Sequence, residues 1–183
     1  MNAKIAEVLS CPFASDIKEG LVSWVDGQRC SVVSGGAHKT KDYTIPETQE
    51  LKKLFTWMNG NIAKISCSLS HDTGSLYNLP EQNNKRNFKI DSYWLLNYPL
   101  HSWVEPHNHF PYALSFGYYV NVPEQSSPLI IDNIKVDVKE GDLIVFMSSK
   151  MHWVPPAKVS GRTMIAGDIL YTSNLFNKGF GYK

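Results

Sequence analysis

From residue 88 onward the hydrophobic pattern changes period, and that change limits the folds open to this chain more than any other feature. The stretches 88–98, 112–122, 129–131, 134–138, 143–147 and 163–170 are short and rich in aromatic and β-branched side chains. Turn-forming residues separate them, at 123–128, at Asp132-Asn133 and at Glu140-Gly141-Asp142. Apolar runs this short, bounded by Gly, Pro, Asn and Asp, read as strands joined by tight turns. Each strand has a face to bury, so a set of them closes into an antiparallel sandwich or barrel. An aromatic share of 12% suits such a core, or an aromatic-lined cavity within it.

The first half of the chain reads differently. Ile17, Leu21, Trp24 and Val25 recur at helical spacing behind Ser15, the expected N-cap, and the pattern stops at Asp26-Gly27. A stronger stripe follows in Leu51, Leu54, Phe55, Met58, Ile62 and Ile65. Thr44 and Glu47 have capping-box spacing ahead of it and Pro46 sits in the expected first turn, which predicts a helix of roughly twenty residues with Gly60 as a point of kinking or division. Residues 1–14 read as an irregular or strand-like lead-in broken by Pro12, 34–36 as a flexible loop, 71–87 as a polar surface loop, and 174–183 as a tail. Helices followed by many short strands predict an α+β, mainly β fold, a sandwich with N-terminal helices packed on its outside. A length of 183 residues is that of one domain, with 1–87 as a helical support region, 88–172 as the β core and 173–183 as the tail.

Composition removes several function classes. Lys and Arg total 18 against 17 Asp and Glu, so no broad basic surface exists for nucleic acid or for an anionic membrane. No apolar run reaches the ~18–20 residues of a membrane span. Cys11, Cys30 and Cys67 are odd in number and widely spaced, which reads as reduced thiols of a cytoplasmic protein. Glu7 interrupts what would be the apolar region of a signal peptide, so export is not expected. Glycine-bearing stretches form no phosphate-binding loop.

Three of the six histidines lie close together in the strand-rich half, at His107, His109 and His152. Alternate residues of a strand project from one face, so His107 and His109 are able to aim at one point while Asn108 faces away. A paired His-x-His is by itself a weak signal, because such histidines also occur as satisfied polar groups at a barrel mouth. His152 strengthens it. It ends a turn and apolar strand, 141–149, that would return it beside the first pair. Three neutral imidazoles on one side of a metal ion leave the remaining positions open to water or substrate, the arrangement of a catalytic site. Arg162 carries a planar, permanently charged fork suited to a carboxylate. His38, His71 and His101 have no partner at ligand spacing.

The run Pro106-His107-Asn108-His109, the segment 114–123, Glu140-Gly141-Asp142-Leu143-Ile144-Val145-Phe146, His152 and Gly161-Arg162 together resemble the 2-oxoglutarate- and Fe(II)-dependent oxygenases of bacteria and their phages. The resemblance covers 88–172; the helical region agrees in order and length only. It implies a double-stranded β-helix of the jelly-roll or cupin-like kind. It further implies that His107, His109 and His152 hold Fe(II) and that Arg162 pairs with the distal carboxylate of 2-oxoglutarate. The implied reaction is hydroxylation of an unactivated C–H bond, with decarboxylation of the co-substrate to succinate. Tyr93 and Asn97 are expected as co-substrate contacts, and Trp94, Tyr112 and Trp153 as further cavity walls. Ala113, Ser115 and Gly117 are expected on the ligand face, leaving room above the metal.

Two positions depart from the family pattern. His109 stands where most members place a carboxylate ligand, and Met164 stands where a hydroxyl would help hold the co-substrate; Thr163 faces the other way. Asp168 shares a strand face with Arg162, but six residues of strand span about 20 Å, which excludes it as a replacement ligand. Two competing readings keep the fold: a cupin-type three-histidine enzyme without 2-oxoglutarate, and a non-catalytic binding or structural protein such as a phage particle component. The expected partners are the small co-substrate and a primary substrate the sequence does not name. The sequence does not fix the oligomeric state, although exposed strand edges in such a fold often pair between subunits and so allow a homodimer; the expected location is cytoplasmic, or the host cytoplasm or virion if a phage encodes the chain.

Overall fold

The aromatic and β-branched runs form the strands they predict. The computed structural model describes residues 5–73 and 88–171. Its elements are β1 (Glu7–Ser10), α1 (Ala14–Asp26), β2 (Ser31–Val32), β3 (His38–Lys39), α2 (Gln49–Thr73) and β4 (Phe88–Tyr98). There follow β5 (Val104–His107), β6 (Leu114–Asn121), β7 (Leu129–Ile131), β8 (Ile134–Val136), β9 (Asp142–Met147), β10 (His152–Val154) and β11 (Arg162–Tyr171). A seven-stranded sheet has the order β1-β9-β6-β11-β4-β3-β2 and a four-stranded sheet the order β5-β10-β7-β8. Every pairing within named strands is antiparallel.

Two cores result. One packs Ile17, Leu21 and Trp24 of α1 and the predicted stripe of α2 against Tyr93, Leu95, Phe116, Val145, Ile165 and Ile169 on the outer face of the large sheet. The other fills the space between the sheets with Trp94, Tyr98, Tyr119, Ile131, Ile144, Phe146, Val154 and Met164. The helices therefore cover one face of the large sheet and the small sheet covers the other, as a mainly β sandwich with helices outside predicts. Burying each Leu, Ile or Phe of the α2 stripe stabilises by about 1.5–3 kcal/mol relative to exposure.

Local signals fared unevenly. Asp132 and Asn133, with φ of 45° and 65°, make the two-residue turn between β7 and β8, the geometry that suits the twist of a hairpin. The N-caps differ from expectation. Backbone turns from Ala14 N to Cys11 O (3.2 Å) and Asp16 N to Phe13 O (3.1 Å) start α1, so Ser15 caps nothing. Helix α2 is capped by Thr48, whose Oγ1 accepts from Leu51 N at 3.2 Å. The Thr44–Glu47 box does not form because Tyr43 is bonded to Tyr93 through both backbone groups, and Tyr93 Oη donates to Ile45 O at 2.9 Å. Those bonds hold the segment extended. Glu47 instead accepts from the Trp24 indole at 3.0 Å. Helix α2 runs unbroken through Gly60 and takes in residues 71–73 of the expected loop. The rest of that loop, the tail and the first four residues lie outside the described residues. Among the described residues no helix is long and apolar enough to cross a membrane. Cys11 and Cys30 are free thiols, and burial pushes both upward in pKa.

Two glycines should respond oppositely to a methyl group. A Cβ on Gly167 would lie 2.4 Å from Ser92 O and 2.6 Å from the Phe116 ring, whereas one on Gly60 meets nothing within 4 Å. Gly167→Ala is expected to lower unfolding free energy by about 1–3 kcal/mol, and Gly60→Ala to raise it by up to about 1 kcal/mol, read from denaturant midpoints at unchanged slope.

Candidate metal centre

Strand pairing delivers the first two histidines. β5 and β10 are antiparallel with His152 opposite His107, and the ring centroids are 4.3 Å apart. His109 follows the end of β5, its N–H donating to Ser148 O at 2.9 Å and its ring stacked on Trp94 at 5.5 Å and 18°. It lies 5.0 Å from the His107 ring and 5.1 Å from the His152 ring. One ligand atom from each of the three lies within 4.8 Å of the others, and they form the metal-competent cluster among the described residues. Bonds of about 2 Å to one ion place donors on one side of it about 3 Å apart, so the three rings would draw together to hold one.

The hydrogen bonds decide which nitrogen faces that ion. Nδ1 of His107 meets Glu105 O at 2.8 Å, Nδ1 of His152 meets Lys150 O at 3.2 Å, and Nδ1 of His109 meets Asp168 Oδ1 at 2.7 Å. Carbonyl and carboxylate oxygens only accept, so each Nδ1 carries the proton and each Nε2 keeps its lone pair. Burial pushes the pKa of His107 down, and burial followed by the neighbouring His107 pushes that of His152 to about 3. Both rings are neutral at pH 7, the form that binds metal.

The cluster opens on a cavity of about 500 Å³ between the sheets, whose walls include Trp94, Tyr98, Tyr112, Trp153, Met164 and Asp168. Ser115 and Gly117 also line it, as expected, while Ala113 belongs to the helix-side core. Gly117 makes room for Met164, since a Cβ there would lie 2.5 Å from Met164 Cε.

Arg162 is 2% exposed. Its Nη1 donates to Ser127 O at 2.6 Å and its Nη2 to Tyr119 Oη at 3.3 Å, with the rings of Tyr98 and Tyr119 at 4.8 and 5.1 Å. No carboxylate of the described residues pairs with it, and its buried Nε has no hydrogen-bond partner. The guanidinium sits behind Tyr98 and Met164, which line the cavity; Met164 Sδ is 3.8 Å from Nη2. Burial pushes the Tyr98 hydroxyl up to about 12, so a neutral phenol stands at this end.

Two expected contacts are corrected. Tyr93 and Asn97 occupy odd positions of β4, whereas Ser92, Trp94, Leu96 and Tyr98 are the residues that line the cavity. Tyr93 is buried among Trp24, Tyr43 and Phe55 on the helix side. Successive strand residues face opposite ways, so both side chains are directed away from the cavity. The strand was identified and its face was not. Asp168, set aside on distance, lies against His109. Its 20 Å separation applies to Arg162, while the histidines gather at the other end of the strand. A lone carboxylate within the apolar run 163–170 was the signal that sequence reasoning left unused.

No protein-family model matches the sequence, and no curated protein matches it. Solved structures do. A Pseudomonas putida prolyl-4-hydroxylase superimposes with a TM-score of 0.62 at 15% identity, over 92% of this chain and 93% of its own. The viral collagen prolyl hydroxylase of Paramecium bursaria Chlorella virus-1, solved as a 2-oxoglutarate complex, gives 0.66 at 11% identity, over 93% and 97%. HygX from Streptomyces hygroscopicus, with nickel and 2-oxoglutarate bound, gives 0.58 at 13%, over 93% and 84%. The likeness is one of fold, and it is the double-stranded β-helix of the 2-oxoglutarate–Fe(II) oxygenases.

Depressed histidine pKa values make the metal-free protein sensitive to acid. Unfolded His152 titrates near 6.5 and the folded residue near 3, so below pH ~6.5 the unfolded state binds more protons and stability falls until about pH 3. Thermal melts of metal-free protein should show this loss beginning between pH 7 and 5, above the range where carboxylates titrate. His152→Gln should flatten that upper part of the curve.

Proposed function

We propose that the chain is an Fe(II)- and 2-oxoglutarate-dependent oxygenase that hydroxylates an unactivated C–H bond of a substrate held in the cavity between its sheets. The observation that carries this reading is the buried Arg162, a guanidinium with an unsatisfied Nε and no anionic partner among the described residues, lying directly behind Tyr98 and Met164, which line the cavity that three metal-ready imidazoles share. A buried charge of this kind costs several kcal/mol unless an anion joins it, and a small dianion able to chelate the metal meets that need. The oxygenase fold of the solved neighbours supports the same choice.

The fit is chemical. Three neutral nitrogens suit Fe(II) and leave open positions, and a set without a directly bound carboxylate leaves the ion more positive toward a dianionic co-substrate than a carboxylate ligand would. When bound, ferrous iron with 2-oxoglutarate and dioxygen would supply hydroxylation of a C–H bond, one oxygen atom going to the substrate and the other into succinate as carbon dioxide is lost. The chain's own residues bind, orient and exclude water. His107, His109 and His152 would hold the ion through Nε2. Arg162 would receive the distal carboxylate, with the Tyr98 phenol beside it as a neutral hydrogen-bond donor. Trp94, Tyr112 and Trp153 would keep the reacting end of the cavity dry and give the substrate apolar surface.

Mixing the protein with Fe(II) and 2-oxoglutarate without oxygen should produce a visible metal-to-ligand charge-transfer band, absent in His107→Ala and weakened in Arg162→Ala. Metal binding without the band would replace this reading with a three-histidine enzyme that does not use 2-oxoglutarate, and no metal binding would leave a structural protein. Arg162→Met separates function from folding. It removes a buried charge that has no anionic partner among the described residues, so the ligand-free protein should be as stable as wild type or more stable by up to about 2 kcal/mol. Its affinity for 2-oxoglutarate, read by titrating the band, should fall at least tenfold.

A further inference from the structure

The carboxylate absent from the ligand set stands behind one of the ligands. Asp168 is 4% exposed. Its Oδ1 accepts from His109 Nδ1 at 2.7 Å and from Ser115 Oγ at 3.0 Å. Ser115 Oγ also bonds Ser148 Oγ at 2.8 Å, and Ser148 O accepts the His109 backbone N–H at 2.9 Å. These contacts close a ring that starts and ends on His109. The other two histidines have only neutral backbone carbonyls behind them, from Glu105 and Lys150.

We propose that Asp168 is a positioning residue for the metal centre, which fixes the tautomer and aim of His109 and passes to the ion, through that imidazole, negative charge that a carboxylate ligand would supply directly. The inference rests on the three-histidine site binding metal and is independent of whether 2-oxoglutarate is used. Four features carry it. The pairing distance is that of a charge-assisted bond. Both donors converge on one oxygen, which holds that oxygen against His109. Among the described residues no lysine or arginine pairs with this carboxylate. Finally, β11 anchors it: Asp168 is in register with Ser92 on one side and Ser115 on the other, so the carboxylate arrives on a strand paired along both edges. A metal-bound imidazole whose second nitrogen donates to a carboxylate is a stronger base and a better-aimed ligand than one backed by a carbonyl.

Co(II) alone is the probe, titrated optically into metal-free wild type, Asp168→Asn and His107→Ala. Asparagine keeps an oxygen that accepts from His109 and Ser115 while removing the charge. The expected result is 10- to 100-fold weaker Co(II) binding by Asp168→Asn with an altered Co(II) absorption spectrum, while metal-free protein melts no lower than wild type. Binding within twofold of wild type, or an unchanged spectrum, overturns the proposal. So does a loss of affinity matched by a lower metal-free melting temperature, which marks a purely structural role. Should Asp168→Asn not fold, Asp168→Ser takes its place, which removes the charge and keeps a small polar side chain beside His109; Co(II) binding by that variant within twofold of wild type overturns the proposal. Wild type that binds no Co(II) ends this inference and the metal centre together. Co(II) binding that responds to Asp168 while the 2-oxoglutarate band is missing removes the oxygenase reading only.

Discussion

The pairing of β11 along both edges, with β4 on one side and β6 on the other, is the constraint on which the site depends. A strand bonded on both sides cannot slip by one residue without turning every side chain to the opposite face. Ile165 and Ile169 are held toward the helices, and Met164, Ala166 and Asp168 toward the cavity. The same alternation sends Arg162 into the space between the sheets. A rigid strand thus sets the separation between the guanidinium at one end and the histidine cluster at the other. Rigid elements of this kind hold functional groups more accurately than loops do.

Charge is distributed along that strand in an unusual way. Arg162 is a buried cation with no anion of the described residues beside it, and Asp168 is a buried carboxylate whose partner is an imidazole. Stability alone favours apolar residues of similar volume at both places. Both charges make physical sense when the cavity between them holds a cation near Asp168 and an anion near Arg162. The neutral state of His107 and His152 belongs to the same scheme, because burial suppresses the proton that would compete with metal. Met164 is the detail that departs from it. Its side chain fills the space that Gly117 leaves and stands against Arg162, so on the proposed reading a carboxylate bound for Arg162 would have to displace a flexible thioether.

Several features were readable because their causes are local. The strand limits 88–98 and 129–131 follow from composition and turn residues, and the α2 stripe from its spacing. His107 and His152 were readable as partners because a turn followed by an apolar strand has to return near its origin. Other features were misread for physical reasons that can be named. The middle of β4 is buried on both faces, one under helices and one under the small sheet, so Tyr93-Trp94-Leu95-Leu96 is apolar at every position and the pattern does not say which face holds the cavity. Tyr93 and Asn97 were placed on the wrong side for that reason. The N-cap of α2 moved to Thr48 because bonds between Tyr43, Ile45 and Tyr93 held the preceding segment extended. Propensity yielded there to tertiary contact.

The sequence by itself determined the class of fold, the order of its elements, the three imidazoles and the arginine, because periodicity, turn chemistry and ligand type are properties of neighbouring residues. Only the tertiary structure decided which face of each strand meets the cavity, which nitrogen of each histidine is free, and that Asp168 stands behind His109. Those depend on side chains far apart in the chain, 59 positions in the case of His109 and Asp168. Such contacts exist once two sheets have packed, and no local pattern encodes the register in which they do so.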